Sequence, residues 1–371
     1  MVDDHTHLES VLSVRADAGE DADGEPAPAT LDDHLDRAAA VGVPRMVQVG
    51  CDLDAVAWTD AVLRVDAGVE GAAAPVPLRA GRRALLGAVA IHPNEAVLHA
   101  RVHEVAPDGL EPDPQARHDA DLDAALSRVT EVARANDRVR AIGETGLDFF
   151  RAGPRGREVQ REAFRAHVAL AKELGLALQI HDRDAHDDVV DVLLRDGAPE
   201  RTVFHCFSGG PALAEVCARH GWFASFAGPV TYGVNDDLRA ALRVLPLDLV
   251  LVETDAPYLT AHPLRGRPNA PYLVPHTVRP VSYTHSDAAD EGLGVDLGGR
   301  RIIKKKKKQD CLGHTVLVKT SKDSIGRYHT VSTSTPAQPA ITHCSTRTIS
   351  SWSVTILLCM PVQQDVASHM H

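Results

Sequence analysis

Residues 3–9 read DDHTHLE. In an extended strand, His5 and His7 point to one face while Thr6 points to the other. Two imidazoles on one face can grip a metal ion. Alone, such a pair is as readily two hydrogen-bonded or solvated histidines, so the remaining ligands must come from elsewhere in the chain. They recur where short apolar runs end: His92 after ALLGAVAI, Glu144 and Asp148 in RAIGETGLD, His181 closing LALQIH, His205 in RTVFHC and Asp255 after LVLVET. Any one of these could be a satisfied structural residue, and Asp255 ahead of Pro257 could simply cap a helix. Together, buried without compensation, they would be costly. Four imidazoles and two carboxylates are too many for one four-coordinate ion with an open position. They suffice for two divalent ions sharing a carboxylate, the arrangement that activates water for phosphoryl displacement. The chemistry indicated is hydrolysis. Imidazole-rich ligation favours zinc, manganese or iron-group ions over magnesium on ligand softness.

The apolar runs that carry these residues number eight, at 1–8, 45–50, 84–92, 140–148, 176–181, 201–206, 222–226 and 249–254. Helical stretches lie between them, clearest in REVQREAFRAHVALAKELG, where Phe164, Val168 and Ala171 or Lys172 keep the spacing of a buried stripe. Single strands alternating with helices imply parallel pairing through right-handed crossovers. Eight such units predict an α/β fold of the (β/α)8 TIM type, with a doubly wound open sheet as the alternative. The barrel places its chemistry at the carboxyl ends of the strands.

Composition bounds the partners. A 44% hydrophobic and 24% charged chain of 371 residues is that of an ordinary globular protein, and its net charge of −12 argues against coating nucleic acid through a broad basic surface. Six scattered cysteines form no C-x-x-C pair. No run approaches the roughly 20 apolar residues of a membrane span, and no basic-then-apolar leader opens the chain, so a cytoplasmic protein without membrane contact is expected.

The character of the chain changes near Pro280. Residues 1–280 hold 44 acidic against 28 basic residues, with Lys172 their only lysine, whereas residues 281–371 hold 11 basic and 7 acidic residues, including KKKKK at 304–308. Ser/Thr-rich patches without helical or strand period follow. Residues 1–280 therefore read as the barrel, and 281–371 as a disordered low-complexity tail, non-native or wrongly joined. Two Ala/Pro-rich stretches, at 66–83 and 105–117, read as long surface loops without assigned function.

The motifs DDHTHLE, AIHP (90–93), GETGLDFFR (143–151), QIHDRDA (179–185), FHCFSG (204–209), ETDAPYL (253–259) and RGRPNAPY (265–272) resemble, as an ordered set, those of the TatD family of metal-dependent deoxyribonucleases, within the amidohydrolase-like barrel superfamily. The resemblance implies a two-metal barrel that cleaves DNA phosphodiesters, often from the 3′ end, in DNA degradation or repair, with Mg, Mn or Zn as cofactor and single strands or 3′ ends as partner. It implies His5, His7 and Asp255 on one ion, His181 and His205 on the second, and Glu144 between them. Glu144 stands where the wider superfamily often has a modified lysine, which favours the nuclease branch. Asp255 suits the proton acceptor for attacking water. His92 and Arg265 are expected to contact substrate phosphate, Asp148 to orient a ligand, and Arg151 and Arg183 to be weaker phosphate candidates. A monomer is expected. The resemblance ends near Pro280, so the family's closing helices are expected to be missing and part of the apolar wall exposed. Hydrolysis of another ester or amide by the same site, or a truncated metal-binding product without activity, are the competing readings.

Overall fold

The computed structural model describes residues 1–15 and 28–291. Eight parallel strands follow one another in chain order around a single sheet: β1 (Val2–Thr6), β2 (Arg45–Gly50), β3 (Leu85–Val89), β4 (Val139–Asp148), β5 (Ala177–Arg183), β6 (Thr202–Phe204), β7 (Phe223–Phe226) and β8 (Val250–Val252). The last strand returns to the first. Thr6 bridges Ala256 in parallel, the Asp255 N–H donates to the His5 carbonyl at 3.0 Å, and the His7 N–H donates to the Ala256 carbonyl at 2.9 Å. The seam is tied further by Asp3, buried, which accepts from the Thr254 N–H at 2.8 Å and its hydroxyl at 2.6 Å. The result is a nearly closed TIM-type barrel, as the alternation predicted, and all eight expected strands are present.

Helices cover the outside: α1 (Leu8–Arg15), α2 (Leu31–Ala40), α3 (Leu53–Ala67), α4 (Pro93–His99), α5 (Leu122–Ala135), α6 (Pro154–Leu174), α7 (His186–Asp196), α8 (Pro211–His220), α9 (Asp236–Val244) and α10 (Val274–Glu291). The stripe expected on α6 is buried at Phe164, Val168 and Ala171. Lys172 lies off it and donates to the Asp196 carbonyl. Strand parity separates two cores. Met46, Leu85, Ile142 and Leu178 belong to the large cluster beneath the helices, while their opposite-parity neighbours Val49, Ala88 and Ala141, with Val47 and Ala177, form a small one inside the barrel. Small residues there fill the narrow interior and leave its upper end to polar groups.

The boundary expected at Pro280 falls inside α10. Val274, Thr277, Val281 and Thr284 are buried at helical spacing on both sides of that proline. The end of the motif resemblance near Pro280 implies a bare wall; instead this helix packs against β8 and α9, and burial of its stripe outweighs the hydrogen bond a mid-helix proline forfeits. The chain divides into units Met1–Gly294 and Val295–His371. The tail reading for residues 292–371, its lysine run included, lies outside the described residues. Within the first long loop, Arg79 and Arg82 pair with Asp32 and Asp36 of α2. Among the described residues no helix is long and apolar enough to cross a membrane.

Candidate metal centre

The polar residues at the strand ends converge because two strands break register. Along β4, Ala141 faces inward and Ile142 outward, so simple alternation would turn Glu144 out. The register shifts between Ile142 and Thr145, and the parity reverses. Gly143 makes this possible: a Cβ there would stand 2.5 Å from Gln179 Cβ. Gly146 lets the strand continue, with φ of +140° and space for no Cβ, which would lie 2.1 Å from the His181 carbonyl oxygen. Glu144 and Asp148 then both turn toward the centre. A similar shift in β1, between Asp3 and Thr6, accompanies the placement of His5 and His7 together, although β1 itself ends at Thr6.

Four donor atoms meet at one spot. His5 Nε2 and His7 Nε2 are 3.3 Å apart; Glu144 Oε2 lies 3.5 and 3.7 Å from them, and Asp255 Oδ1 lies 3.9 and 3.5 Å from them. Two nitrogens bound tetrahedrally to one ion would be about 3.3 Å apart. On the other side of Glu144, its Oε1 is 2.7 Å from His181 Nδ1, 2.9 Å from His205 Nε2 and 3.5 Å from His92 Nε2. Glu144 thus stands between two groups of imidazoles, all buried except the half-buried His92 and His181.

Three of the histidines are fixed from behind. His7 Nδ1 donates to the Val49 carbonyl at 3.3 Å, His205 Nδ1 faces Glu253 Oε1 at 3.0 Å, and His181 Nε2 faces Asp148 Oδ2 at 3.3 Å. Each leaves its other nitrogen aimed at the centre, where on losing its proton it would offer a lone pair to a cation. Anchoring of this kind orients metal-ligating imidazoles and sets their tautomer. Asp148 is held in turn by the Asn94 amide at 3.0 Å, and its other oxygen accepts from the Arg151 N–H at 3.0 Å. His92 likewise does two things. Its Nδ1 accepts from the Asn94 N–H at 3.1 Å, capping α4, which leaves a hydrogen on Nε2.

Electrostatics follow from this packing. Burial opposes ionisation of Glu144 and Asp255, yet the surrounding imidazoles outweigh it. His205, His92 and His181 hold Glu144 well below the usual range, and His7, His205 and His5 hold Asp255 below it. Burial likewise disfavours protonated His181, but Asp148 and Glu144 raise it to about 9, and the carboxylates raise His7 and His205 too. His5 goes down, through burial and then the neighbouring His205. In the absence of a cation, His7, His181 and His205 carry the protons that balance the two carboxylates. A divalent ion would take over that role, so the donor set fits metal. The two cysteines that line the cavity are held as thiols, Cys51 pushed up to about 11 by burial and Cys206 up as well, which disfavours thiolate nucleophilic chemistry.

The site opens into a cavity of about 800 Å³ at the carboxyl end of the barrel. Arg151 and Arg183 line it, the first paired with Asp108 at 3.0 Å, the second stacked 4.0 Å over the Phe150 ring. Arg265 is not among the lining residues; it is exposed and stacks 4.5 Å over the Tyr232 ring. Motif reading passed over Glu253, which accepts from the Cys206 N–H at 2.8 Å besides facing His205. It sits two residues before Asp255, and period-two alternation could have found it. Asn269 was also passed over: its amide donates to the Thr254 and Tyr258 carbonyls, both at 2.7 Å, and pins the Asp255 loop. A separate group, Glu95, His99 and His118, lies on α4 and the 115–119 turn. There His118 Nδ1 accepts from the Gln115 N–H, its Nε2 donates to Glu95, and Arg117 grips the same carboxylate, so protein groups already occupy the Glu95 and His118 donors.

A family model described as TatD related DNase matches residues 2–292. A protein of Mycobacterium tuberculosis named uncharacterized metal-dependent hydrolase TatD is 37% identical over 286 residues, covering 76% of this chain and 89% of that relative. A 3′-5′ ssDNA/RNA exonuclease TatD of Erwinia tasmaniensis is 33% identical over 235 residues, covering 59% of this chain and 86% of its own. Among solved structures, YJJV, a TatD homologue of Escherichia coli, aligns with a TM-score of 0.55 at 24% identity over 79% of this chain and 95% of that one, a likeness of fold. The family match crosses Pro280 as α10 does, and with it the chain belongs to the TatD family of metal-dependent hydrolases.

Proposed function

We propose that this chain is a divalent-metal-dependent phosphodiesterase that removes nucleotides from the 3′ end of single-stranded DNA. The observation that carries the reading is the anchoring of His7, His181 and His205 through one ring nitrogen, with the other directed at Glu144 and Asp255. His5, His7 and Asp255 would hold one ion, His181 and His205 the other, and Glu144 would bridge them. When bound, such a pair of ions lowers the pKa of the attacking water and stabilises charge on the phosphoryl oxygens.

The rest falls to the protein. Asp255, kept as a carboxylate, takes the proton of the attacking water at Oδ1 or Oδ2. His92 presents its Nε2–H to a phosphate oxygen, because its Nδ1 is committed to the Asn94 N–H. Glu253 and Asp148 keep the His205 and His181 rings in orientation. Arg183 supplies local positive charge at the mouth, which lets an anionic substrate approach a barrel whose first 280 residues carry an excess of acidic groups. The polynucleotide class of substrate is supported by the exonuclease named among the relatives.

The test is nucleotide release from 3′-labelled single-stranded DNA with Mg2+, Mn2+ or Zn2+, comparing wild type with Asp255→Asn. Loss of a general base costs about 100-fold or more in turnover. Release that is unaffected by chelator or by Asp255→Asn would refute the proposal.

A further inference from the structure

The mouth of the cavity has two chemically different sides. Tyr258 and Leu259 follow β8 and remain 55% and 38% exposed, whereas Asp255 in the same loop is buried. Arg183 ends β5, three strands away around the barrel. Among the described residues no carboxylate lies within ion-pair distance of its guanidinium, which rests on the Phe150 ring. Both sides face the same space, since Tyr258, Leu259 and Arg183 all line the cavity.

The backbone that carries the exposed tyrosine is held on both sides. Its N–H donates to the Asp255 carbonyl at 2.9 Å and its carbonyl accepts from Asn269 at 2.7 Å. Asp255 and Leu259 both adopt left-handed backbone, with φ of 54° and 52°. Gly228 closes up beneath the loop, where a Cβ would stand 1.8 Å from the Leu259 carbonyl oxygen. From this backbone the Tyr258 ring lies 6.1 Å from the His7 ring, edge to face at 67°. An exposed aromatic face on a well-held backbone next to the metal centre is suited to stack a planar group, and a nucleotide brings one beside its phosphate.

We propose that Tyr258, with Leu259 beside it, is the platform for the terminal base of a single-stranded polynucleotide, while a backbone phosphate of the same strand reaches Arg183. This rests on the phosphodiesterase reading and deepens it: the platform makes the enzyme choose unpaired ends. A paired base is stacked within its duplex and cannot offer its face without being unstacked first.

The experiment is a double-mutant cycle between protein and ligand. Two 5′-fluorescein single-stranded oligonucleotides differ only in whether the 3′-terminal residue carries a base or is abasic. Affinity is read by fluorescence anisotropy in EDTA, and hydrolysis separately with Mn2+. Wild type should bind the complete strand about tenfold more tightly than the abasic one. In Tyr258→Ala this ratio should fall to about one, and Tyr258→Phe, which keeps the ring, should restore it. A ratio of one in wild type, or the same ratio in wild type and Tyr258→Ala, overturns the platform. Hydrolysis with base-independent affinity would sink the platform alone. Base-dependent affinity erased by Tyr258→Ala, with no hydrolysis by wild type, would sink the phosphodiesterase reading and keep the platform as a binding site.

Discussion

His167 offers a test of how the outer helices support the site. It is fully buried on α6, where its Nε2 accepts from the Ile91 N–H at 3.1 Å and its Nδ1 lies 2.8 Å from the Ala163 carbonyl and 3.0 Å from the Thr145 hydroxyl. Ile91 precedes His92 and Thr145 follows Glu144, so this one ring steadies the backbone behind both. Burial pushes its pKa down to about 4 from 6.5, and the Ala163 carbonyl only partly offsets that. The folded state therefore keeps His167 neutral where the unfolded chain would protonate it. The unfolded state binds the extra proton below pH 6.5, so the stability associated with neutral His167 is present above that pH. It is lost as pH falls from 6.5 to 4. A shift from 6.5 to about 4 corresponds to about 3 kcal/mol. His167→Gln retains an acceptor for Ile91 and removes the titration. Urea unfolding of both proteins in EDTA, at pH 7 and at pH 4, cancels the titrations they share. The wild type should lose about 3 kcal/mol more than His167→Gln over that interval. Equal losses would refute the reasoning, because they would mean that His167 titrates alike in the folded and unfolded chains.

Two further outcomes follow from the packing around the centre. Glu253→Gln keeps an oxygen for the Cys206 N–H but removes the charge behind His205, and should weaken divalent-metal affinity about tenfold in competition with a chromogenic chelator; unchanged affinity would remove Glu253 from the site. Gly146→Ala places a methyl group 2.1 Å from the His181 carbonyl at a φ of +140°, so the parity reversal of β4 should be strained, with a loss of about 3 kcal/mol by urea unfolding; a loss below about 0.5 kcal/mol would show that the strand can relax there.

The sequence by itself determined the architecture and most of the donor set. Eight apolar runs alternating with helical stretches require a parallel sheet, because single strands separated by helices can pair only through crossovers, and the contact of Thr6 with Ala256 closes it into a barrel rather than an open doubly wound sheet. Titratable residues at the ends of those runs must meet in such a barrel, which gathers His5, His7, His92, Glu144, Asp148, His181, His205 and Asp255 from a linear reading, and the resemblance of the motifs singles six of them out as ligands. The tertiary structure decided what depends on contacts between distant segments. Alternation counted from Ala141 turns Glu144 outward, and only the register of β4 against its neighbours brings it in. Arg265 was placed by its motif near the substrate, yet it stacks on Tyr232, thirty-three residues earlier in the chain, and Arg183 takes the cavity position instead. The change of composition at Pro280 suggested an end to the barrel, while the helical spacing of Val274, Thr277, Val281 and Thr284 carries α10 through it. Local periodicity records which face of an element is buried; register, second partners and the use of a side chain across the barrel are set by what packs against that face, and no local pattern contains it.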